Sequence, residues 1–190
     1  MGQRQKNMRQ QLLLAGIEEI NSNGVTDFSI RRVAQSCGVS CAAPYKHFKD
    51  KREFISAIID YVNEQWNVRQ EDVLAACGDS LRQQIVEVCV NYLKFLMEMP
   101  YYRSILMLKD AEFDNIYHKK RGQLSSRSQE LERAFAAQSG MDEATWRRKI
   151  HLVRALLFGT VFLLDTGELE YNEQTLENVR YHIEREFDLP

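Results

Sequence analysis

Proline is scarce in this chain, three in 190 residues, and glycine is held to nine. Both interrupt helices, so their shortage favours long uninterrupted ones. The four cysteines, Cys37, Cys41, Cys77 and Cys89, show no C-x-x-C spacing. Cys37-x3-Cys41 reads as half a metal site or a redox sensor only if nearby partners exist. None stands beside it, and Cys37 is expected to pack in a small core. No apolar run approaches the ~20 residues that a membrane span needs. The opening MGQRQKNMRQQ is polar and does not read as a signal peptide. A cytoplasmic location with reduced thiols is therefore expected, with no membrane partner, no metal and no cofactor.

Catalytic signatures are also missing. His47, His118, His151 and His182 are scattered, without H-E-x-x-H spacing, and there is no G-x-S-x-G, P-loop or dinucleotide fingerprint. Paired acids such as Glu18-Glu19 are expected at solvated helix surfaces. The pattern predicts a protein that is not an enzyme.

Apolar residues make up 44 % of the chain, enough for a sizeable core at this length. Net charge is −2, but it is unevenly placed. Residues 1–52 carry nine Lys/Arg and four Asp/Glu, hence +5; the remainder carries sixteen and twenty-three, hence −7. A basic head on an acidic body is the asymmetry expected if only the head meets nucleic acid.

The most informative stretch is Phe28 to Phe48, FSIRRVAQSCGVSCAAPYKHF. Ser29 can cap a first helix whose Ile30, Val33 and Ala34 share one apolar face. Gly38 sits just past its end, where a left-handed backbone is needed. Ser40 can cap a second helix, predicted over residues 40–48, with Pro44 in its first turn. This is the arrangement that presents a short helix to the DNA major groove. Cys41, Ala42 and Ala43 are small, which allows close approach to base edges. Tyr45, Lys46 and His47, followed by Lys49, Lys51 and Arg52, supply the cations and donors that phosphate contact requires.

These residues resemble the DNA-binding domain of the TetR/AcrR family of bacterial transcriptional regulators. The matching elements are Ser29, Val33-Ala34, Gly38-Val39-Ser40, Tyr45-Lys46-His47-Phe48, Lys51 and Phe54. The match covers roughly residues 9–58; beyond that, only length and helical character agree. Cys37 stands where Ala is commoner, and Ala43-Pro44 where many members have Thr-Leu, departures that bear on the operator sequence and not on the fold. The resemblance implies an all-α protein of about nine helices. A three-helix helix-turn-helix DNA-binding domain at residues 1–52 would precede a helical ligand-binding and dimerisation domain at 53–190. It implies that Arg31 reaches a base, that Cys41, Ala42, Ala43 and Lys46 lie nearest the bases, and that Ser29, Tyr45, His47 and Lys51 hold phosphates. Arg4, Lys6 and Arg9 would lie toward phosphates as well.

The remaining chain reads as helices throughout. A first helix spans residues 4–23. Asp50-x-x-Glu53 opens a helix whose stripe of Phe54, Ile55, Ile58, Ile59 and Val62 reaches Trp66, too broad for the head alone. The boundary between domains is therefore expected within this helix. Further helices are predicted over 79–99, 101–108, 116–139, from the Asp142 cap to about 165, and over 172–187, with a loop at 109–115.

Aromatic and methionine side chains suit an adaptable apolar pocket in the second domain: Tyr92, Phe95, Met99, Tyr102, Met107, Phe113, Tyr117, Phe158 and Phe162. The same side chains serve an ordinary core, and spacing alone leaves both roles open. Arg103, His118, His151 and Arg154 are candidates for a polar ligand contact. The helix from Asp142 is apolar round most of its circumference from Leu152 onward. Val153, Leu157, Gly159, Val161 and Leu164, with Leu176, Val179, Ile183 and Phe187 of the last helix, are candidates for a dimer interface built as a four-helix bundle. Closing the monomer core is the competing role for that pair.

The expected function is a homodimeric regulator, most often a repressor, that binds a pseudo-palindromic double-stranded operator and is released by an unknown small-molecule effector. The alternative is a helical small-molecule-binding or adaptor module without DNA binding.

Overall fold

The computed structural model describes residues 2–100, 102–103 and 126–188, with side chains from residue 7 onward and without that of Ser126. Among the described residues there are seven α-helices and one 3-10 turn, and no strand. The helices are α1 (Gly2–Asn23), α2 (Ile30–Ser36), α3 (Lys51–Ala76), α4 (Leu81–Glu98), α5 (Ser126–Ser139), α6 (Glu143–Asp165) and α7 (Glu173–Asp188). The described residues are all-helical, as the resemblance implies and the shortage of proline and glycine favours. The segment predicted as a helix over 101–108 and the loop 109–115 lie outside the described residues, apart from Tyr102 and Arg103. The first ten residues of the helix predicted over 116–139 do so too.

The chain divides into two compact units, and the division falls inside α3, between Gln65 and Trp66. This is further along the helix than residue 52. The first unit holds the residues up to Gln65 and a short segment from Met99; the second holds Trp66–Glu98 and α5 to α7.

The first unit is organised on one aromatic cluster. Phe54 of α3 stacks on Phe48 at 4.0 Å between ring centroids and meets the ring of Phe28 edge-on at 5.3 Å. Leu12, Leu13, Ile17 and Ile20 of α1 and Val33 and Ala34 of α2 are buried with them. Gly16 lets α1 approach α3: a Cβ there would stand 3.0 Å from Ile58 Cδ1 and 3.1 Å from Phe54 Cε2. Such overpacking typically costs about 1–3 kcal/mol.

In the second unit, α4 packs against α5, α6 and α7, and α6 packs against α7. Trp66 at the start of this unit contacts the rings of Tyr92 (4.9 Å) and Phe95 (5.3 Å). Phe135, Trp146 and Phe187 form a second aromatic group, with Trp146 and Phe187 stacked at 6.0 Å. Lys149, buried on α6, donates its ammonium to the Glu186 carbonyl at 2.7 Å. Asp142 caps α6 by accepting from the Ala144 and Thr145 backbone N–H groups, both at 2.9 Å. Those bonds, the Thr145 backbone one foremost, hold its carboxyl below the ordinary aspartate range.

Candidate nucleic-acid interface and the C-terminal unit

The helix-turn-helix segment is built from local chemistry. Ser29 has an extended backbone, and its hydroxyl accepts the Arg32 N–H at 3.4 Å, so it is the N-cap of α2. At the other end, Gly38 adopts φ +65°. The Val39 N–H reaches the Ala34 carbonyl at 3.0 Å and the Gly38 N–H reaches Gln35 at 3.0 Å. These paired bonds are the Schellman arrangement that closes a helix on glycine.

The second element departs from the helix predicted over 40–48. Residues 41–43 form turns, and only Pro44–Lys46 is helical, as a 3-10 turn. The cause is Pro44. With Ser40 as the cap, residue 44 would supply the first N–H of the α-helical ladder, and proline has none. Tighter bonds replace it, Ala43 N–H to Ser40 at 2.9 Å and His47 N–H to Pro44 at 2.9 Å. Proline at this place is therefore not neutral, as it would be one turn earlier.

The segment still has two sides. Pro44 and Phe48 are buried, and Phe48 is gripped by Phe54 on one side and by the Arg9 guanidinium 5.4 Å from its centroid. Cys41, Ala42, Tyr45 and Lys46 are exposed, Tyr45 at 57 %, and Ala43 and His47 are half-buried. The residues chosen from sequence for base contact thus share a surface with Tyr45. Asp50 and Glu53 anchor the start of α3. Asp50 Oδ1 accepts the Glu53 N–H at 2.8 Å, and the Glu53 carboxylate accepts the Lys49 N–H at 2.7 Å. Glu53 thus reaches back one residue beyond the cap, tying the end of the exposed segment to α3.

Two neighbouring arginines have different fates. Arg32 Nε donates to Glu19 Oε1 at 2.7 Å, and its guanidinium also reaches the Asp27 carbonyl. Glu19 accepts the Ser29 N–H at 3.2 Å and the Asn23 amide at 3.2 Å as well. Glu19 is 9 % exposed, which corrects its assignment to a solvated surface. It is a staple between α1 and α2. Arg31, by contrast, is exposed and has no partner among the described residues.

Other side chains expected at phosphates are partly committed to the fold. Ser29 uses its hydroxyl as a cap. Lys51 is half-buried and donates its ammonium to the Thr26 carbonyl at 2.9 Å, so part of its donor capacity is taken. Arg9 sits over Phe48; the side chains of Arg4 and Lys6 lie outside the described residues.

In the C-terminal unit the candidate ligand residues separate. Phe95 is buried and Tyr92 half-buried in the Trp66 cluster. Tyr102 is buried, Met99, Arg103 and Phe158 are half-buried, and Phe162 is exposed. Met107, Phe113, Tyr117 and His118 lie outside the described residues. His151 and Arg154 line a cleft of about 650 Å³ between α5 and α6, together with Glu132, Trp146 and Arg147, which sequence reasoning did not select. Cys89 of α4 is half-buried, and its packed surroundings push its thiol up to about 12, which leaves little thiolate at neutral pH.

The dimer candidates divide between buried and exposed positions, Gly159 being exposed. Val153, Leu157, Val161, Leu176, Val179, Ile183 and Phe187 are buried within the single chain, and Leu164 is half-buried. Their stripe is what α4, α6 and α7 cover between themselves. Beyond the first turn of α6, the apolar residues left outside are Leu152 at 53 %, Ala155 and Phe162 at 59 %, on one face with exposed Gly159. Leu152, Ala155, Gly159 and Phe162 follow helical spacing.

Comparison with known proteins agrees with this geometry. The family model described as bacterial regulatory proteins, tetR family, matches residues 12–58. No curated protein matches the sequence. A TetR family transcription regulator from Marinobacter aquaeolei VT8 is similar in fold, with a TM-score of 0.74 at 19 % identity over 98 % of each chain. The transcriptional regulator FadR from Bacillus subtilis, solved in complex with stearoyl-CoA, gives a TM-score of 0.73 at 16 % identity, over 94 % of this chain and 96 % of that one.

Proposed function

We propose that this chain, placed in the TetR family of bacterial regulatory proteins by its residues 12–58, is a homodimeric repressor that reads a pseudo-palindromic operator and is released by a small molecule. It is no enzyme on this reading, and it works in the cytoplasm. The observation that carries the proposal is the exposed surface of Cys41, Ala42, Tyr45 and Lys46, held from behind by buried Pro44 and Phe48. Small side chains there let the backbone come close to base edges, and the methyl groups of Ala42 and Ala43 suit thymine methyls. Unpartnered Arg31 is long enough to form a bidentate contact to guanine. Tyr45, His47 and the unengaged donors of Lys51 suit phosphates, which position the protein without reading sequence.

A dimer supplies the second half-site, one DNA turn away. The uncovered face of Leu152, Ala155, Gly159 and Phe162 on α6 is the surface for the second copy, with α7 beside it. The effector acts by preferring a dimer whose heads are wrongly spaced for the operator. The release it achieves equals its difference in affinity between the two shapes.

A gel shift on the DNA upstream of the chain's own gene, at two salt concentrations, tests this. Specific binding that weakens as salt rises is expected, since phosphate neutralisation releases counterions. Absence of any salt-dependent binding would favour a binding module without a DNA role.

A further inference from the structure

The cleft between α5 and α6 has charge in layers. Its deepest charged group is Glu132, whose side chain is 16 % exposed. Its one ion pair among the described residues is with Arg154, at 3.9 Å, too long for a hydrogen bond. Its carboxylate accepts no hydrogen bond among the described residues. The carboxylate keeps some contact with solvent, so it is open to a donor that enters the cleft. Burial raises its protonation range, while Arg154 and Arg133 pull it back down.

Guanidinium groups ring the mouth. Arg133 and Arg154 are exposed, as is the His151 ring, and Arg147 is already engaged by Glu143 at 2.6 Å. Ala136, Met141, Trp146 and Ile150 add apolar surface, and Gln129 adds an amide. The volume, about 650 Å³, lies within the range of small-molecule sites.

A simple anion attracted by the mouth would meet Glu132 below it. A simple cation suited to Glu132 would have to pass the guanidinium groups. A dipolar molecule satisfies both layers. We propose that this cleft binds a small zwitterion with an apolar side chain, of the α-amino acid class. Its ammonium donates to Glu132, its carboxylate accepts from Arg154, and its side chain lies against Trp146 and Ile150. The ligand displaces Arg154 from its loose pairing and gives Glu132 the hydrogen bonds it lacks. This deepens the reading that the C-terminal unit takes the effector, and it does not depend on DNA binding.

The test is isothermal titration of the full chain, without DNA, with four probes of one shape: L-phenylalanine, phenethylamine, 3-phenylpropionate and L-3-phenyllactate. L-Phenylalanine is expected to bind about tenfold or more tightly than phenethylamine or 3-phenylpropionate. Glu132→Gln should reduce L-phenylalanine to the level of 3-phenylpropionate, and Arg154→Gln should reduce it to that of phenethylamine. Phenyllactate binding as well as L-phenylalanine would overturn the ammonium assignment. Equal binding of L-phenylalanine and 3-phenylpropionate, or no binding of any probe by the wild-type chain, would overturn the site. A gel shift with L-phenylalanine added is the separate test of the effector role.

Discussion

The two units treat their cations differently. In the C-terminal unit, several arginines are matched to acids, although Arg133 and Arg185 are not among the described residues: Arg82 grips Asp188 with two 2.7 Å bonds, Arg180 holds Glu87, and Arg69 holds Glu98. In the head, Arg32 is taken by Glu19, but Arg31, Lys46 and Lys49 stand exposed with side chains that have no partner among the described residues. Charge that the fold consumes cannot recruit a polyanion, whereas charge left over can. The head is thus where a modest number of cations has the larger effect, despite the chain's net negative charge.

The largest way to break this comparison is through the head's core. Phe48→Ala removes the ring that stacks on Phe54 and underlies Arg9. A loss of about 3–5 kcal/mol is expected, read as a lower urea midpoint by circular dichroism. A loss near zero would mean that the exposed segment is not held from behind.

Arg32→Ala comes next. It leaves Glu19, a nearly buried carboxylate, without its guanidinium partner. A loss of stability smaller than that of Phe48→Ala is expected, seen in the same unfolding experiment. DNA binding should fall with it, and should return under conditions where the variant is fully folded. Lys51→Ala removes a half-buried donor from the Thr26 carbonyl. About 0.5–1.5 kcal/mol is expected, with DNA affinity reduced alike on operator and random sequence.

Glu132→Gln sharpens the contrast from the other side. Burial raises the folded-state range of Glu132 above its unfolded one, so the folded protein holds that proton more tightly. The ionised carboxyl therefore weakens the fold above the folded range, and the penalty vanishes once pH drops below the unfolded one. The glutamine variant should melt higher than the parent at pH 7, and the gap should close on acidification. Asp188 and Asp142 run the opposite way. Their ranges are lowered, by Arg82 and by the helix cap respectively, so what they contribute is present above about pH 3.9, the unfolded value. It is lost as pH falls through their folded values. Both are solvent-facing, and small acid-limb shifts in Asp188→Asn and Asp142→Asn melting curves are the expected signature.

Local rules made much of the head legible. The Ser29 cap, the Gly38 stop and the apolar face of Ile30, Val33 and Ala34 are short-range features, and short-range features are written in short stretches of sequence. Pro44 shows the limit: its effect depends on which ladder position it occupies, and a one-residue shift changes the outcome. Glu19 was obscured for a different reason. Only Asn23 lies at helical spacing from it; the partners that join α1 to α2, Ser29 and Arg32, are ten and thirteen residues away, and no periodicity announces them. The same holds on α6, where Val153, Leu157 and Val161 belong to an apolar circumference that gives no hint of which side its own chain covers. The cleft drew only His151 and Arg154 from the sequence, because Glu132 is contributed by another helix.

The claim that leftover head cations read DNA is tested most directly by one ratio. Affinity for the DNA upstream of the gene, divided by affinity for random DNA, can be measured by fluorescence anisotropy for the parent and for Arg31→Ala. A selective loss of about 1–3 kcal/mol on the specific DNA is expected, with melting temperature and random-DNA affinity nearly unchanged. An unchanged ratio, with both affinities intact or both reduced equally, would contradict it.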